Sequence, residues 1–357
     1  MARTTHFFAG ANSGNGFQNL FPELMHPEDA YDFIILKGGP GVGKNTFLRL
    51  LGKAMEDAGA DVEYLWCSGD PDSLDGVVVP EIRCAAADGT SPHVLEPQFP
   101  AAADRYVNLG RFYDIAAAKD SAAAVKAHTR DYQAAYRRAY SALRAARQVE
   151  TDAAGRVQFD YFRAERRFRG IALRELRRRG SESGQTRYRF LGSVTHKGCV
   201  WRFDSVDTLC PKVYEVVDSF GFAGPLLAGL HDAASAHGWD SIACMAPEEP
   251  ERIEHLLIPG LGLAFVSSRP GMEYKEKPFR RVRLDALAEA PEKVTLRFET
   301  RVADLLREEG IRALREAKAC HDRLEAVYNP YVDFDGVRAL AALESGRWLD
   351  YWQHRQR

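Results

Sequence analysis

The pattern of apolar and polar positions predicts an α/β protein, and the first clear unit begins at Phe33. Four consecutive apolar residues, 33–36, are typical of a strand buried on both faces. Apolar positions over residues 44–58 then recur at helical spacing, and Gly59 ends the helix. Residues 61–67 and 82–87 have the composition of further strands. Strand, helix and strand in this order predict a doubly wound parallel sheet.

The pattern occurs twice along the chain. Phe8 matches Phe190 at a separation of 182 residues, and from Leu48 onward the separation settles at 179. The matched pairs then include Leu48 with Leu227, Gly59 with Gly238, Pro71 with Pro250, Asp75 with Glu254, and Pro80 with Pro259. A constant register with two prolines in place indicates an internal duplication; two unrelated α/β units with a shared turn pattern are the alternative.

A helical stretch follows each copy. Residues 116–179 are rich in alanine and arginine, and residues 302–327 and 337–352 also show helical spacing. The predicted organisation has a nucleotide-binding domain over 1–115, a helical segment over 116–185, a degenerate second domain over 186–286 and a helical segment over 287–357.

Composition narrows the class of protein. A chain of 357 residues, 45% of them hydrophobic, can bury a large core, which excludes a disordered or disulfide-scaffold protein. The net charge of −2 gives no overall attraction to nucleic acid or to an anionic membrane. Without a long apolar run, a signal peptide or a CxxC pair, we expect a cytoplasmic protein with reduced thiols and no membrane partner.

The strongest chemical motif is GGPGVGKNT, which follows the first strand and opens the helix. Glycines let such a loop turn its backbone N–H groups toward phosphate oxygens, and the lysine reaches the β- and γ-phosphates. The nucleotide-binding residues are predicted to be Gly38, Gly39, Pro40, Gly41, Val42, Gly43, Lys44, Asn45 and Thr46. Because no guanine-reading Asn-Lys-x-Asp motif is visible, ATP is the expected nucleotide.

The position after the lysine departs from this motif. Asn45 stands where a serine or threonine hydroxyl normally binds Mg²⁺, so its amide oxygen is the metal ligand expected there. Asp88, at the end of a predicted strand, is expected to hold a water of the Mg²⁺ shell, although strand-end aspartates also form turns. These residues favour nucleotide binding more than rapid phosphoryl transfer.

Further acidic residues lie in the loop 68–76. Asp70 or Asp75 could orient an acceptor hydroxyl or an attacking water, and Asp75 is the preferred catalytic residue because its counterpart Glu254 is also acidic. The alternative is a solvated turn. His93 could contact a γ-phosphate or a substrate, or have neither role.

The second copy lacks the residues of the motif. Its corresponding segment, 217–225, contains no lysine, and Ser267 and Ser268 stand where the first copy has Asp88 and Gly89. Three nearby arginines, Arg269, Arg280 and Arg281, could serve as an arginine finger on the first copy's phosphates. The alternative is that they are surface arginines.

Residues 163–179 carry eight arginines. The segment from Arg163 to Arg179 could bind nucleic acid or an acidic protein. Alternatively, it could be a solvated helix face that pairs with acidic residues of the C-terminal helices.

Several motifs together resemble a known family. The stretches 6–10 (HFFAG), 67–77 (CSGDPDSLDGV) and 88–93 (DGTSPH), together with the glycine-rich loop and residues 317–325, resemble an uncharacterised bacterial family of duplicated P-loop proteins described as predicted ATPases or nucleotide kinases. The resemblance implies ATP binding at 38–46. Its members generally have serine or threonine after the lysine and many have a P-loop in both halves, and this chain differs on both counts.

These observations lead to three functional hypotheses. The first is a slow ATPase that uses Mg²⁺-ATP as a switch between an active and a degenerate half. The second is a kinase for a nucleotide or small molecule, and the third is a non-catalytic nucleotide sensor that binds a partner.

Overall fold

Two six-stranded sheets contain most of the strands of the chain. The computed structural model describes residues 2–26, 28–290 and 293–356. The strands of the N-terminal part are β1 (Thr4–Phe8), β2 (Gly10–Ser13), β3 (Gly16–Asn19), β4 (Asp32–Lys37), β5 (Val62–Trp66), β6 (Leu74–Val79), β7 (Cys84–Asp88), β8 (Asp104–Asn108) and β9 (Gln158–Phe159). Those that follow are β10 (Thr186–Arg189), β11 (Gly192–Thr195), β12 (Gly198–Trp201), β13 (Lys212–Val217), β14 (Ser241–Ala246), β15 (Glu249–Ile258), β16 (Leu263–Ser268), β17 (Arg280–Arg283) and β18 (Ala288–Glu289).

Helices lie in the predicted segments 44–58, 116–179, 302–327 and 337–352, and two further helices, at 203–209 and 223–236, were not predicted from the apolar spacing. The helices are α1 (Lys44–Asp57), α2 (Ile115–Ala118), α3 (Ala122–Ala154), α4 (Tyr161–Glu175), α5 (Phe203–Leu209), α6 (Ala223–Ala236), α7 (Lys293–Tyr328) and α8 (Phe334–Gln356). Within the described ranges, every helix falls short of the length and apolar content needed to cross a bilayer.

The two sheets have corresponding strand orders, β1-β5-β6-β7-β4-β8 and β10-β14-β15-β16-β13-β17, as a duplicated α/β unit requires. The prediction of an entirely parallel sheet is wrong, because β6 runs antiparallel to β5 and β7, and β15 runs antiparallel to β14 and β16. Only residues 67–73 separate β5 from β6. That connection is long enough for a hairpin but too short for the crossover that parallel strands need.

The sheets pack face to face, with the larger helices outside. Ile34 and Leu36 of β4 belong to a core formed with α1 and α8, whereas Phe33 and Ile35 belong to a core shared with strands of the second sheet, including Val213. Alternate residues of a strand face opposite sides of its sheet, so β4 contributes to both cores. The prediction of a doubly wound sheet is therefore also wrong: the layers are helix, sheet, sheet and helix.

The two halves exchange their last helices. The long helices α3 and α7 lie antiparallel, as shown by the ion pairs Arg138–Glu316 and Arg156–Glu299. The helix that follows each of them along the chain packs on the other half. The helix α4, after α3, packs on α6 of the second half, and α8, after α7, packs on α1 of the first.

The arginines of the segment 163–179 are exposed, as one of the two alternatives expected, but the pairing with acidic residues of the C-terminal helices is not found among the described residues. The paired acids of α7 and α8 have partners within their own helices, on α3 or at Arg105.

The β-hairpins also cross between the halves. Phe8 and Phe190, matched in the duplication, exchange two backbone hydrogen bonds of 2.9 Å. The tip of the β11–β12 hairpin then reaches the loop after β5, where His196 Nδ1 lies 3.1 Å from the carbonyl oxygen of Gly69. Residues from the second half thus help to hold the loop that carries Asp70 and leads into β6, the strand of Asp75.

Candidate functional site

The glycine-rich loop lies between the end of β4 and the start of α1. Gly41 has a φ of 72° and Gly43, the residue before the helix, has a φ of 94°. These left-handed conformations strain any residue with a Cβ atom, so the loop depends on glycine at both positions. The arrangement places the positive end of the helix at the loop, where an anion is stabilised.

Lys44 folds back across this loop. Its Nζ donates hydrogen bonds to the carbonyl oxygens of Gly38 (2.8 Å) and Gly39 (3.1 Å), and it lies 3.5 Å from Oδ2 of Asp88. Asp88 ends β7, directly beside β4, and its Oδ1 accepts hydrogen bonds from the backbone N–H and hydroxyl of Thr90. The structure thus brings together the lysine and the acid that the sequence analysis proposed for phosphate and metal chemistry.

The Asn45 amide oxygen has other partners. It accepts hydrogen bonds from the backbone N–H of Leu74 (3.0 Å) and from Nε of Arg49 (3.1 Å). It therefore ties α1 to the start of β6, and this conformation does not offer it to a metal ion. Thr46 is exposed on the first turn of the helix. Of the two expected metal residues, only Asp88 fits the role in this arrangement.

A buried acid–base pair lies next to Asp88. Oδ2 of Asp75 is 3.4 Å from Nε2 of His93, and both side chains are 8% exposed. Burial acts to lower the pKa of His93, but the carboxylates of Asp75 and Asp88 together outweigh burial, so the pKa is raised. Asp75 Oδ2 and His93 Nδ1 have no hydrogen-bond partner among the described residues. Such unsatisfied buried atoms are typical of a functional site or of a site for an ordered water.

The other acids of this loop act as turn residues. Asp70 accepts hydrogen bonds from the Ser73 hydroxyl and the Asp72 backbone N–H. Asp72 pairs with Lys197 at the tip of the β11–β12 hairpin. Asp75 is therefore the acid of this segment that faces the proposed site, whereas His93 is the partner that the sequence analysis left open.

The end of α7 covers the loop, which the sequence analysis missed. Oε1 of Glu325 accepts a hydrogen bond of 3.2 Å from the backbone N–H of Gly41, and Tyr113 donates a hydrogen bond to the carbonyl oxygen of Pro40. A Cβ on Gly41 would lie 2.9 Å from Oδ1 of Asn329. A carboxylate oxygen thus already accepts the hydrogen bond of one backbone N–H group of the loop. The only sequence signal was the family resemblance at 317–325, which gave no role.

Three side chains near the end of α7 bring potential metal ligands within 4.8 Å of one another: His321, Asp322 and Glu325. Both carboxylates of this group already have partners: Lys318 pairs with Asp322, and the backbone N–H of Gly41 donates a hydrogen bond to Glu325. Contacts within the protein therefore explain this cluster.

The corresponding loop of the second half is closed by its own carboxylate. Oδ1 of Asp218 accepts hydrogen bonds from the backbone N–H groups of Gly221 and Phe222, and Oδ2 accepts one of 2.7 Å from Ala223. Burial raises the pKa of Asp218. The amides at the start of α6 are therefore satisfied without a ligand, and no lysine replaces Lys44.

The three arginines proposed as an arginine finger lie in the second half, and two of them pair with acidic residues there. Arg269 Nη1 lies 2.8 Å from the buried Oε1 of Glu254, and Arg281 Nε lies 2.5 Å from Glu215. Arg280 is exposed on β17. The structure therefore places Arg269 as the partner of a buried acid, rather than over the first-half loop.

No protein-family model, curated protein or solved structure matches this chain.

Proposed function

We propose that this protein binds ATP with Mg²⁺ in its first half and hydrolyses it slowly, with the second half unable to bind nucleotide. The observation that carries the proposal is the position of Lys44, between the loop carbonyls and Asp88 on the neighbouring strand. A phosphate placed at the loop would meet backbone N–H groups, an ammonium group and the helix dipole together. The motifs that resemble the duplicated P-loop family favour the same function.

The remaining residues suggest how hydrolysis would proceed. When bound, Mg²⁺ would neutralise charge on the phosphates, and Asp88 would hold a water of its shell. His93, paired with Asp75, is the group available to accept a proton from an attacking water. Two features would slow this reaction: Asn45 supplies no hydroxyl to the metal, and Glu325 occupies the amide of Gly41.

Replacing Asn45 with serine is expected to raise the rate of ATP hydrolysis about tenfold, equal to about 1.4 kcal/mol of transition-state stabilisation. The physical reason is that the hydroxyl restores the metal ligand of the motif. Phosphate release under saturating ATP measures the effect. Asn45→Ala is the matched control, since it loses the contact to Leu74 without adding a hydroxyl. Equal rates in both variants would show that the missing hydroxyl does not limit turnover.

Replacing Glu325 with glutamine is expected to tighten ATP binding about three- to tenfold, because it removes a negative charge from the entrance to the loop. Calorimetric titration with a nonhydrolysable analogue measures the change. Glu316→Gln on the same helix, where Glu316 pairs with Arg138 on the surface, should leave affinity unchanged. Unchanged or weaker binding in Glu325→Gln would contradict the idea that this carboxylate competes with phosphate.

A kinase is the second candidate. The observation in its favour is the cover over the loop and the near-complete burial of the Asp75–His93 pair, since phosphoryl transferases exclude water from the reacting phosphate. ATP consumption measured with and without hydroxyl-bearing acceptors separates the two reactions. Acceptor-dependent ADP release would favour the kinase, and acceptor-independent release the ATPase.

A further inference from the structure

The helix α4 has one buried face and one strongly basic face. Ala164, Phe168 and Ile171 are buried and pack with α6 and the second sheet. We use the name α4 basic face for the exposed arginines of the segment 163–179: five lie on α4 itself, and Arg177, Arg178 and Arg179 follow the end of the helix at Glu175. Because α4 packs on the second half, this face belongs to a different part of the molecule from the loop at 38–46.

Most arginines of the α4 basic face have no acidic partner. Across the described ranges, no carboxylate lies within ion-pairing distance of Arg166, Arg167, Arg169, Arg174, Arg177, Arg178 or Arg179. Arg163 is 3.7 Å from Asp160, and the helix's own Glu175 pairs with Lys212 instead. Positive charge is thus concentrated on one surface of a chain whose net charge is −2.

Exposed aromatic side chains accompany these charges. Phe162 is 75% exposed and Tyr161 is 41% exposed at the start of the helix, and the guanidinium of Arg179 lies over the ring of Trp239. Guanidinium groups bind phosphate oxygens through paired N–H donors, and an open aromatic ring can stack on a base. Stacking needs a base that is free of a duplex.

We propose that the α4 basic face binds single-stranded nucleic acid, with its arginines on phosphates and Phe162 stacked on a base. The helix is about 22 Å long, which is enough to contact several phosphates. RNA and DNA share the required chemistry. Nothing in this interaction depends on ATP binding at the first-half loop.

Fluorescence anisotropy of the full-length protein tests the proposal, using labelled RNA and DNA strands of about 20 nucleotides. Binding of either strand is expected, and the dissociation constant should rise about a hundredfold between roughly 50 and 200 mM salt, as for about five phosphate contacts. Tighter binding of RNA or of DNA identifies the source of the strand, and either supports the proposal. Absence of binding to both strands would overturn it.

Two variants with matched controls locate the site. The triple substitution Arg166→Gln, Arg167→Gln and Arg169→Gln should weaken binding about tenfold or more and reduce the salt slope by about 2. The control removes three exposed arginines elsewhere: Arg130→Gln, Arg137→Gln and Arg338→Gln. An equal loss in both triple variants would overturn the proposal, since general charge would then explain binding.

The substitution Phe162→Ala should weaken single-strand binding about tenfold and leave the salt slope unchanged, because stacking releases no counterions. Phe298→Ala, at an exposed phenylalanine of α7, is its control and should have no effect. Duplex DNA and polyglutamate are the competing ligands. Duplex binding as tight as single-strand binding, or binding of polyglutamate alone, would overturn the proposal in favour of duplex or acidic-protein recognition.

Discussion

Replacing Lys44 with alanine is expected to weaken ATP binding about a hundredfold, equal to a loss of about 3 kcal/mol. Among the described residues of the loop, Lys44 is the only one with an ammonium group, and this group would contact the phosphates. Hydrogen bonds between charged groups are stronger than those between neutral groups. Removing Lys44 also leaves Asp88 unpaired beside the phosphates, which adds repulsion. Calorimetric titration with a nonhydrolysable ATP analogue measures the loss.

The control for this variant lies on the same helix. Lys53 is exposed, pairs with Asp57 and faces away from the loop residues, so Lys53→Ala should bind the analogue like the unaltered protein. Thermal unfolding of both variants shows whether the fold is retained. Full affinity in a folded Lys44→Ala protein would contradict the assignment of this loop as the nucleotide site.

Replacing Arg269 with methionine is expected to lower the free energy of unfolding by about 2 to 3 kcal/mol, because it leaves the buried Glu254 without a guanidinium partner that is itself 37% exposed. Glu254 is buried, and its Oε1 lies 2.8 Å from Arg269. Burial acts to raise the pKa of Glu254, but Arg269, His255 and Arg252 together outweigh burial and the pKa is lowered. Without Arg269, only His255 and Arg252 would oppose burial, so the pKa of Glu254 would rise.

The pH dependence of unfolding distinguishes this effect from a general loss of packing. In the unaltered protein, the lowered pKa of Glu254 means that the pair stabilises the fold above the unfolded value of about 4.3, and that this contribution is lost as pH falls. In the variant, acid protonates the unpaired carboxyl, so the difference in stability should shrink below about pH 5. Arg312→Met, at a surface pair with Glu309, should change stability by less than about 0.5 kcal/mol.

The same variant tests the arginine-finger hypothesis. Because Arg269 serves Glu254 in the second half, ATP hydrolysis per folded molecule should be unchanged in Arg269→Met. A variant with normal stability and lost hydrolysis would contradict the structural role and favour the finger.

The duplication and the order of elements around β4 and α1 were predictable from the sequence, but the direction of β6 was not. Residues 68–76 are rich in aspartate, glycine and proline, and they were interpreted as a loop. The strand β6 begins within that segment, at Leu74. Alternating apolar residues also indicate that a strand face is buried without indicating what covers it. This is why the contact between the two sheets was missed.

The candidate site shows the same division between local and long-range information. Glycine spacing and the start of a helix depend on a few neighbouring residues, so the loop and Lys44 could be predicted from the sequence. The order of the strands placed Asp88 beside them. Glu325 lies 284 residues from Gly41, and only packing of the α3–α7 pair brings them together. Likewise, a single asparagine side chain can face a metal or a neighbouring backbone, and contact with Leu74 decides the orientation of Asn45.

Backbone hydrogen exchange, with and without a nonhydrolysable ATP analogue and Mg²⁺, tests the central claim most directly. We expect slower exchange at the backbone N–H groups of residues 39 and 41–46 and no change at 221–223, where Asp218 already accepts the hydrogen bonds. Protection confined to 221–223, or no protection at 39–46 under saturating analogue, would contradict a nucleotide site in the first half.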